Sequence, residues 1–481
     1  MASMETTQET GGKMPLVLVE PNPKLPSGQG KARKFLRAQD VLESLGWLSI
    51  LWVIFTFLTD GGATGVTDLQ SFLGAIQRLT ALVATDLLLI QALLVSRVPW
   101  LEKIYGHDRA TMTHKRLGKP ILYLVIVHFV GVVWSYSIAD SKNVLDELVS
   151  LIVTTSDLLW ATIAFVLMIV VVVTSIKITR SRISYEAWYI VHLLAYGSVM
   201  LAIPHQINLG SDIAGKPLAE IFWISAYLFV GLNILWFRLL SPIVLSLIHG
   251  LKVSAAVAES SDSTSVYITG RKLKSFGAKS GQFFILRIVT ARQWWRAHPF
   301  SLSAAPTDNQ LRFTIGNRGD DTSLIQNIKP GTRVILEGPY GVFTEDKRVQ
   351  DSVVLIAAGI GAPPIRALAE TIAAGPGEVS IIYRVRNTKD AALAEELNEI
   401  AVKRGFDLHI LDGSRRFENS WLPNGIDASQ TDDEKLVQIC PKIAKSDVYV
   451  CGPSAFTRAV EKSLQLAGTP KSQIHSEEFA W

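Results

Sequence analysis

Six apolar runs, each long enough to cross the hydrocarbon core of a bilayer, constrain the fold of this chain more than any other feature of its sequence. The predicted spans are residues 40–58, 72–96, 117–138, 157–176, 187–205 and 219–248. Charge follows the same division, because residues 41–250 hold 26 charged side chains in 210 positions and residues 251–481 hold 54 in 231. The first part has the composition of a membrane domain and the second that of a soluble domain. A disordered chain, a disulfide-rich scaffold and a wholly soluble enzyme are therefore excluded.

Basic residues in the connecting loops predict how the spans are oriented. Nine lysines and arginines lie in loops 97–119 and 177–186, whereas the basic residues of the three opposite loops are Lys142 and Lys216. Because basic loops stay in the cytoplasm, we expect both termini and the soluble part there, in a protein of the plasma (inner) membrane. Residues 1–39, with five basic residues between positions 24 and 37, are expected to form a disordered cytoplasmic tail.

Composition also limits partners and metals. The net charge of +4 is too small to indicate nucleic-acid binding, so the expected partners are the lipid bilayer and a small-molecule acceptor. Cys440 and Cys451 are the two cysteines of the chain, which excludes a disulfide framework and a cysteine-ligated metal cluster.

Four of the nine histidines lie at or inside the third and fifth spans, where ionisable residues are costly and usually functional. His114 and His128 are 14 residues apart, and His192 and His205 are 13 apart, so each pair spans roughly 20 Å of helix. The two spans run in the same direction, which brings His114 to the depth of His192 and His128 to that of His205. Neutral imidazole is an axial haem ligand. The spacing therefore predicts two stacked bis-histidine haems.

Two observations bear on this prediction. Gly118 and Gly131, one turn from the histidines of the third span, are expected to leave room for a porphyrin. On an ideal helix, however, 13 residues rotate by about 220° net, so His205 should miss the face of His192 unless Pro204 re-aims it. The alternative is that the histidines are hydrogen-bonding residues of the bundle.

The soluble half divides again. Residues 251–350 contain short β-rich segments such as Phe283–Val289 and Leu311–Ile315 between Gly, Pro and Asn turns, which predicts an antiparallel β-barrel. Residues 351–481 alternate strands such as Ser352–Ala357 with helices, which predicts a parallel sheet with crossover helices. The predicted fold class is thus an all-α six-helix transmembrane bundle over residues 40–250, an antiparallel β-barrel domain and an α/β parallel-sheet domain.

Three motifs of the soluble half resemble those of a known superfamily. The segment from His298 to Ser301, followed by Ala305-Pro306, is similar to the flavin motif of ferredoxin-reductase-type domains. Gly359-Ile360-Gly361-Ala362-Pro363-Pro364 and Cys451-Gly452-Pro453 are similar to its two nicotinamide-nucleotide motifs. With the histidine spacing, the chain from about residue 40 to Trp481 resembles the ferric reductase and NADPH oxidase flavocytochromes.

The resemblance implies that residues 251–350 bind FAD. His298, Pro299, Phe300 and Ser301 would lie along the isoalloxazine, with Phe300 on or beside the ring and the Ser301 hydroxyl at its N5 or O4 edge. The segment containing Gly319, Asp320 and Thr322 would place backbone amides on the pyrophosphate. Relatives usually carry a basic residue three positions before that glycine, where this chain has Gly316, so Arg318 or Arg296 is expected to neutralise the phosphates.

The resemblance further implies that residues 351–481 bind NAD(P)H. Gly359, Gly361 and Pro363 would form the first nucleotide turn, where Ala362 replaces the threonine of many relatives. Cys451, followed by Gly452 and Pro453, would lie near the nicotinamide, unless it is simply a buried thiol. Four arginines that follow two predicted strands favour NADPH over NADH through its 2′-phosphate: Arg384, Arg386, Arg415 and Arg416. By resemblance, the terminal Trp481 would cover the flavin face where nicotinamide docks, unless the terminus is a frayed tail.

The implied activity is that of an NAD(P)H-dependent transmembrane ferric reductase or NADPH oxidase, which passes electrons from cytoplasmic NADPH through FAD and two b-type haems to an outer acceptor. Arg78, near the outer end of span two, matches a basic residue of the oxidases and could attract superoxide or anionic ferric chelates. Some oxidases carry a histidine where this chain has Val132, which favours ferric complexes over dioxygen. The rival hypotheses are a transporter or proton channel, using Arg78, Asp86 and the histidines, and an electron conduit to a partner protein.

Overall fold

The structure is a computed structural model that describes residues 16, 18, 28–176, 180, 182–291, 293–317, 324–427 and 429–479. It divides into two compact units. The first unit, Ala38–Arg238, is helical, and the second, Leu239–Trp481 together with the segment before Ala38, contains the β-sheets.

The helical unit contains long apolar helices. Six helical stretches of the described residues are long and apolar enough to cross a membrane, as predicted. The helices are α1 (Gly28–Thr59), α2 (Leu69–Leu94), α3 (Pro99–Ile104), α4 (His107–Ala139), α5 (Val144–Thr154), α6 (Ser156–Ser175), α7 (Tyr185–Leu209) and α8 (Pro217–Asn233). A π-helical segment, Ile234–Leu240, joins α8 to α9 (Ser241–His249) and completes the sixth stretch.

Two helices extend well beyond the predicted spans. Helix α4 begins ten residues before position 117, so His114 lies inside a helix. Helix α1 begins at Gly28, so the disorder predicted for residues 1–39 is wrong from that residue onward. Hydropathy marks the apolar part of a helix, whereas its backbone hydrogen bonds continue into the polar flank. Within the rest of the tail the structure describes Leu16, which packs against the core of the parallel-sheet domain, and Leu18.

The second unit begins with two three-stranded antiparallel sheets. Their strands are β1 (Lys252–Ser260), β2 (Ser263–Thr269), β3 (Phe283–Ile288), β4 (His298–Ser301), β5 (Gln310–Gly316) and β6 (Val334–Tyr340). One sheet has the order β1-β2-β5 and the other β4-β3-β6. Alternate residues of both sheets enclose a common apolar core that includes Val266, Phe284, Phe300 and Phe313.

A five-stranded parallel sheet follows. Its strands are β7 (Ser352–Ala358), β8 (Val379–Arg384), β9 (Asp407–Leu411), β10 (Ser446–Pro453) and β11 (Ile474–Phe479), in the order β11-β10-β7-β8-β9. The helices are α10 (Ala362–Thr371), α11 (Ala394–Arg404), α12 (Asp432–Ile439) and α13 (Ser454–Leu466). The chain reverses its direction of progress across the sheet between β7 and β10, and ligands of such sheets bind at the carboxyl ends of those strands. The predicted fold class is confirmed.

A buried ionic network joins the antiparallel and parallel sheets. Arg312 on β5 binds Glu396 on α11 through two hydrogen bonds of 2.8 Å. Glu396 also lies 2.8 Å from Arg366 on α10, which pairs with Glu370 one turn later. Glu370 accepts a 2.7 Å hydrogen bond from the backbone N–H of Ala305 in the antiparallel domain. The two positive and two negative charges therefore balance where water is excluded.

Replacing Glu396 with alanine would leave Arg312 and Arg366 buried without their shared carboxylate. Breaking a buried pair in this way costs about 3–5 kcal/mol, which for a domain of this size lowers Tm by roughly 6–20 °C. Thermal unfolding of the purified protein, followed by circular dichroism, measures the shift. Glu399→Ala on the same helix, whose carboxylate pairs with Lys403 at the surface, should leave Tm nearly unchanged. Equal shifts for the two variants would contradict a special role for the network.

Candidate functional site

The four histidines of the helical unit form two facing pairs. The ring centres of His114 and His192 are 6.0 Å apart, and those of His128 and His205 are 6.4 Å apart. Helix α4 packs closely on α2, and α7 packs on α6, while the α4 and α7 backbones make almost no close approach to each other. The histidines therefore reach across a gap between α4 and α7. Helix α7 continues through Pro204, and both of its histidines meet their partners despite the unfavourable rotation.

Hydrogen bonds to α2 fix the rings of α4. The Nδ1 atom of His114 lies 3.1 Å from the carbonyl oxygen of Gln91, and that of His128 lies 2.9 Å from the carbonyl oxygen of Gln77. A carbonyl can only accept, so Nδ1 carries the proton in both rings and Nε2 keeps its lone pair. On α7, Nδ1 of His192 lies 3.3 Å from the Ser175 hydroxyl. Such bonds are the usual support of metal-binding imidazoles.

The two glycines of α4 face α2 and not the gap. A Cβ atom on Gly131 would lie 2.8 Å from Cβ of Gln77, and one on Gly118 would lie 3.4 Å from Nε2 of Gln91. The prediction that these glycines make room for a porphyrin is therefore wrong. Gly131 lets α2 approach closely beside the Gln77 carbonyl that binds His128, whereas a Cβ atom on Gly118 would meet only the end of the Gln91 side chain.

The spacing of each pair fits one axially ligated iron. An imidazole nitrogen binds a metal at about 2 Å and lies about 1.1 Å from the ring centre, so two axial rings are about 6.3 Å apart. The observed separations of 6.0 and 6.4 Å bracket that value. A porphyrin would supply the remaining ligands, so each histidine pair would be enough to hold a haem although no group of three or more metal-binding side chains occurs among the described residues.

Arg78, in the N-terminal half of α2, is hydrogen-bonded and ion-paired within the protein. Its guanidinium donates to the Gly62 carbonyl at 2.8 Å and to the Ser211 hydroxyl at 3.3 Å, and it lies 3.6 Å from Asp212. Lys216 joins the same cluster by pairing with Asp60 at 3.2 Å and lying 3.9 Å from Asp212. The cluster, defined here as Asp60, Arg78, Asp212 and Lys216, has no net charge.

The predicted flavin residues lie on an edge strand of the antiparallel domain. In β4, Phe300 points into the core beside Phe284, its partner on β3. Pro299 and Ser301 point the other way, since side chains alternate along a strand. The Ser301 hydroxyl is buried, and among the described residues it has no hydrogen-bond partner. Because an unsatisfied buried hydroxyl is costly, Ser301 fits the edge of a bound polar ring.

The two nucleotide motifs meet at the carboxyl ends of β7 and β10. Gly359 adopts a left-handed backbone (φ +51°), and its carbonyl accepts from the Tyr383 hydroxyl at 3.3 Å. A Cβ atom on Gly361 would lie 2.1 Å from the Cys451 carbonyl oxygen, so only glycine allows this turn to touch β10. Pro363 lies in the first turn of α10, Gly452 packs against Phe456 and Ala358, and Pro453 is exposed at the strand end.

The same turn contacts the antiparallel domain. Gly316, at the end of β5, packs so closely on Ile360 that a Cβ atom would lie 3.2 Å from its side chain. A side chain at this position would crowd Ile360, so glycine allows β5 to pack closely on the turn.

Cys451 is fully buried in β10, opposite Glu477 of β11. Burial, with a smaller contribution from the Glu477 carboxylate, raises the pKa of the Cys451 thiol well above its usual range. The thiol is therefore neutral and is not a nucleophile.

The four predicted arginines divide into two kinds. The guanidinium of Arg384 is buried and donates to the carbonyls of Val385, Leu411, Gly413 and Trp421. Arg416 pairs with Asp432 at 2.8 Å and donates to the Asp427 carbonyl. Arg386 and Arg415 are exposed, although Arg415 donates to the Glu418 carbonyl. The first two thus organise the loop after β9, and the last two are accessible to a ligand.

Five predicted residues lie outside the described residues: Arg318, Gly319, Asp320, Thr322 and Trp481. Sequence reasoning also missed functional positions. Gln77 and Gln91 are separated by the same 14 residues as His114 and His128, but they bind the rings through backbone carbonyls, so their residue type gives no signal in the sequence.

Three family models match the chain in the order of its domains. The model of the ferric reductase like transmembrane component matches residues 80–203, that of an FAD-binding domain residues 250–344, and that of an oxidoreductase NAD-binding domain residues 355–462. This is the architecture of the ferric reductase and NADPH oxidase flavocytochromes, so the recognition made from the motifs is confirmed. The chain is an NAD(P)H-dependent oxidoreductase and an integral membrane protein.

Relatives match part of the chain. The ferredoxin reductase component of 3-ketosteroid-9-alpha-monooxygenase from Rhodococcus rhodochrous is 31% identical over 48% of this chain and 64% of its own length. The Flavohemoprotein of Vibrio cholerae is 28% identical over 41% of this chain and 50% of its own length. The FAD/NAD binding domain of Nitric Oxide Dioxygenase from Vibrio cholerae, a solved structure, is 23% identical over 48% of this chain and 98% of that chain, with a TM-score of 0.39. The chain thus spans less than two thirds of the curated relatives' length.

Gly361→Ala should displace the nucleotide turn from β10 while leaving the antiparallel domain intact, because its Cβ would meet the Cys451 carbonyl. We expect a rise of at least roughly tenfold in KM for NAD(P)H, equivalent to about 1.4 kcal/mol, with unchanged FAD content. Steady-state kinetics with cofactor quantification measures both. Gly375→Ala, whose Cβ would make ordinary contacts, is the control. Unaltered nucleotide affinity in Gly361→Ala would show that the turn does not bind it.

Proposed function

We propose that this chain, with its ferric reductase and NADPH oxidase architecture, carries electrons from cytoplasmic NADPH through FAD and two b-type haems to an acceptor on the outer side. Ferric complexes are the favoured acceptor and dioxygen is the alternative. The proposal rests on the two facing histidine pairs, whose ring centres are 6.0 and 6.4 Å apart. Hydrogen bonds at Nδ1 leave Nε2 of His114 and His128 available to bind a metal.

The proposed organisation follows the loop charges and compositions. Residues 1–39 are cytoplasmic, residues 40–250 form the di-haem membrane domain, residues 251–350 bind FAD and residues 351–481 bind NADPH. Both termini face the cytoplasm of a plasma (inner) membrane, because nine basic residues lie in the loops on that side. The change of unit after Arg238 supports a membrane domain that ends near the sixth span.

The chain's own groups position the cofactors. His114 with His192 would hold the inner haem, and His128 with His205 the outer one. Bound haem supplies one-electron transfer, and the bond from each α4 histidine to an α2 carbonyl keeps the ring oriented and its Nε2 deprotonated. On the cytoplasmic side, Ser301 would bind the flavin edge, and Gly359 and Gly361 would bring the nucleotide close to it. Trp481 remains proposed as the cover of the flavin face.

The balanced charges around Arg78 bear on the acceptor. Asp212 and Asp60 cancel the charges of Arg78 and Lys216, so this cluster exerts little long-range attraction on an anionic chelate. Val132, where some oxidases carry a histidine, supports ferric reduction. The acceptor can therefore be tested through the cluster's charge.

A first test concerns haem stoichiometry. His128→Ala or His205→Ala should remove one of two haems and abolish acceptor reduction, while NADPH still reduces the flavin because its domain is untouched. The pyridine haemochromogen spectrum per FAD measures the loss. His107→Ala, at the start of the same helix and bonded to Glu102, should keep both haems. Two haems in either test variant would exclude the outer pair as the ligands.

A second test concerns the nucleotide. Replacing exposed Arg386 and Arg415 together with alanine removes at least one charge-assisted contact to a 2′-phosphate, and one such contact is worth roughly 1.5–3 kcal/mol. KM for NADPH should rise about 10- to 150-fold, while KM for NADH changes little. Lys389→Ala, an exposed cation on the same loop, is the control. An unchanged NADPH to NADH ratio would transfer the role to Arg384 or Arg416.

A third test concerns the acceptor. Asp212→Asn gives the Arg78 cluster one net positive charge, which should lower KM for ferric citrate about two- to fivefold, as expected for one partly screened charge. Lys216→Gln makes the cluster negative and should raise it. Dioxygen is neutral, so its KM should respond to neither variant. Initial rates at low ionic strength measure the effect. If KM for ferric citrate is the same in both variants as in the unmodified protein, the acceptor binds elsewhere.

A further inference from the structure

The antiparallel domain begins where the sixth apolar stretch ends. Helix α9 ends at His249, and two residues later the Leu251 carbonyl accepts from the N–H of Val334 on β6. The start of β1 and the start of β6 therefore lie at the end of the domain next to His249, and α9 also contacts β6 through a 3.1 Å bond from the N–H of Leu336 to the Ser246 hydroxyl.

Hydrogen bonds connect that end to the loop between β3 and β4. Lys252 pairs with Arg333, and the Arg333 carbonyl accepts a 2.9 Å bond from the N–H of Val289. Neighbouring strands are about 4.8 Å apart, so Val289 lies roughly 10 Å from Lys252. The loop that follows Val289 is thus at the same end of the domain.

This loop exposes large apolar side chains. Trp294 is 61% exposed and Trp295 is 44% exposed, and Val289 is exposed beside them. The loop is ordered by turns, with the N–H groups of Gln293 and Trp294 donating to the Thr290 carbonyl. Two adjacent exposed indoles on an ordered turn indicate a surface that something else covers.

A second loop brings positive charge to the same end. The N–H of Arg271 donates to the His249 carbonyl at 2.9 Å, and Nδ1 of His249 lies 2.6 Å from the Arg271 carbonyl. Arg271, Lys272 and Lys274 of this loop are exposed, as are Lys252 and Arg333. The described segments 249–253, 270–277 and 328–334 contain no acidic residue.

We propose that this end of the antiparallel domain is a lipid-binding surface. The surface, here called the membrane-end surface, consists of Trp294, Trp295, Lys252, Arg271, Lys274 and Arg333. Tryptophan prefers the bilayer interface, and clustered lysine and arginine bind anionic headgroups. The occupant is an anionic bilayer, because exposed indoles and basic side chains share this surface, and the sixth apolar stretch, which is long and apolar enough to cross a membrane, ends at His249, three residues before Lys252. The surface would hold the flavin-binding domain against the bilayer independently of its cofactors.

The test uses a fluorophore on the full-length protein in lipid nanodiscs. The native thiols Cys440 and Cys451 are buried, and burial raises the pKa of both, that of Cys440 to about 11, so an introduced cysteine can be labelled selectively. Ala291→Cys places an NBD label on the loop and keeps both tryptophans. Val402→Cys, an exposed position on α11, is the control. Doxyl lipids in nanodiscs containing phosphatidylglycerol should quench the label at 291 and not that at 402.

Two further variants identify the contributing groups. Trp294→Ser with Trp295→Ser should abolish lipid quenching at position 291. Lys252→Gln, Lys274→Gln and Arg333→Gln together should lower quenching on phosphatidylglycerol to the level on phosphatidylcholine alone. Lys442→Gln, Lys462→Gln and Lys471→Gln change the net charge equally at exposed sites elsewhere and should have no effect.

A label at 291 that is unquenched by lipid overturns the proposal. In that case iodide accessibility tells whether the loop faces water or protein. Lipid quenching that persists in the tryptophan variant, or equally on both lipids, also overturns it. The labels report position without turnover, so loss of NADPH oxidation or of a haem would contradict the proposed function and leave this result intact.

Discussion

The antiparallel packing of α2 on α4 is the constraint on which the membrane site depends. Glycine at position 131 lets the two helices approach closely, and backbone carbonyls of α2 meet imidazoles of α4 at two depths. Because both glutamines and both histidines are 14 residues apart on helices that run in opposite directions, one contact is repeated at two depths. Each repeat fixes a tautomer and points Nε2 away from α2. The histidines of α7 meet these two rings across the space between α4 and α7, although they are 13 residues apart and not 14.

In the second unit, three close contacts fix β4 relative to the turn at Gly359–Gly361. Ala305, shortly after β4, is hydrogen-bonded to Glu370 of α10, whose first residues form the turn. Gly316 of the antiparallel domain packs on Ile360 of that turn, and Gly361 packs on the Cys451 carbonyl. Buried ion pairs seldom add net stability over an apolar core, but losing one partner is costly. The Arg312–Glu396–Arg366–Glu370 network therefore favours one arrangement of the two sheets over others.

Features with strong periodicity or fixed motifs could be predicted from the sequence, and features set by long-range pairing could not. The six spans, strands such as β5 and β7, and the facing histidines follow from hydropathy and spacing. Strand β11 was missed because Ile474–Phe479 is polar and becomes a strand by pairing in parallel with β10. Helix α12 was missed although Thr431 and Glu434 form a capping box, a signal that was available. The prediction that Gly118 and Gly131 leave room for a porphyrin was wrong, because spacing shows which helical turn a residue occupies and not which neighbouring helix it faces.

Arginine illustrates the limit of motif reasoning most clearly. Arg78, Arg384 and Arg416 were selected because a guanidinium after a strand or near a redox centre suits an anion. In the structure all three guanidinium groups bind the protein. Arg384 donates to four carbonyls in and around the loops after β8 and β9, Arg416 pairs with Asp432, and Arg78 donates to Gly62 and Ser211 beside Asp212. A guanidinium group with five fixed donors suits backbone carbonyls as well as phosphate. The sequence alone therefore does not distinguish an arginine that binds the protein from one that binds a ligand. Solvent exposure distinguishes the two kinds of arginine, because a ligand can reach Arg386 and Arg415 without displacing a protein partner from a buried guanidinium. The buried arginines then shape the loop that presents the exposed ones.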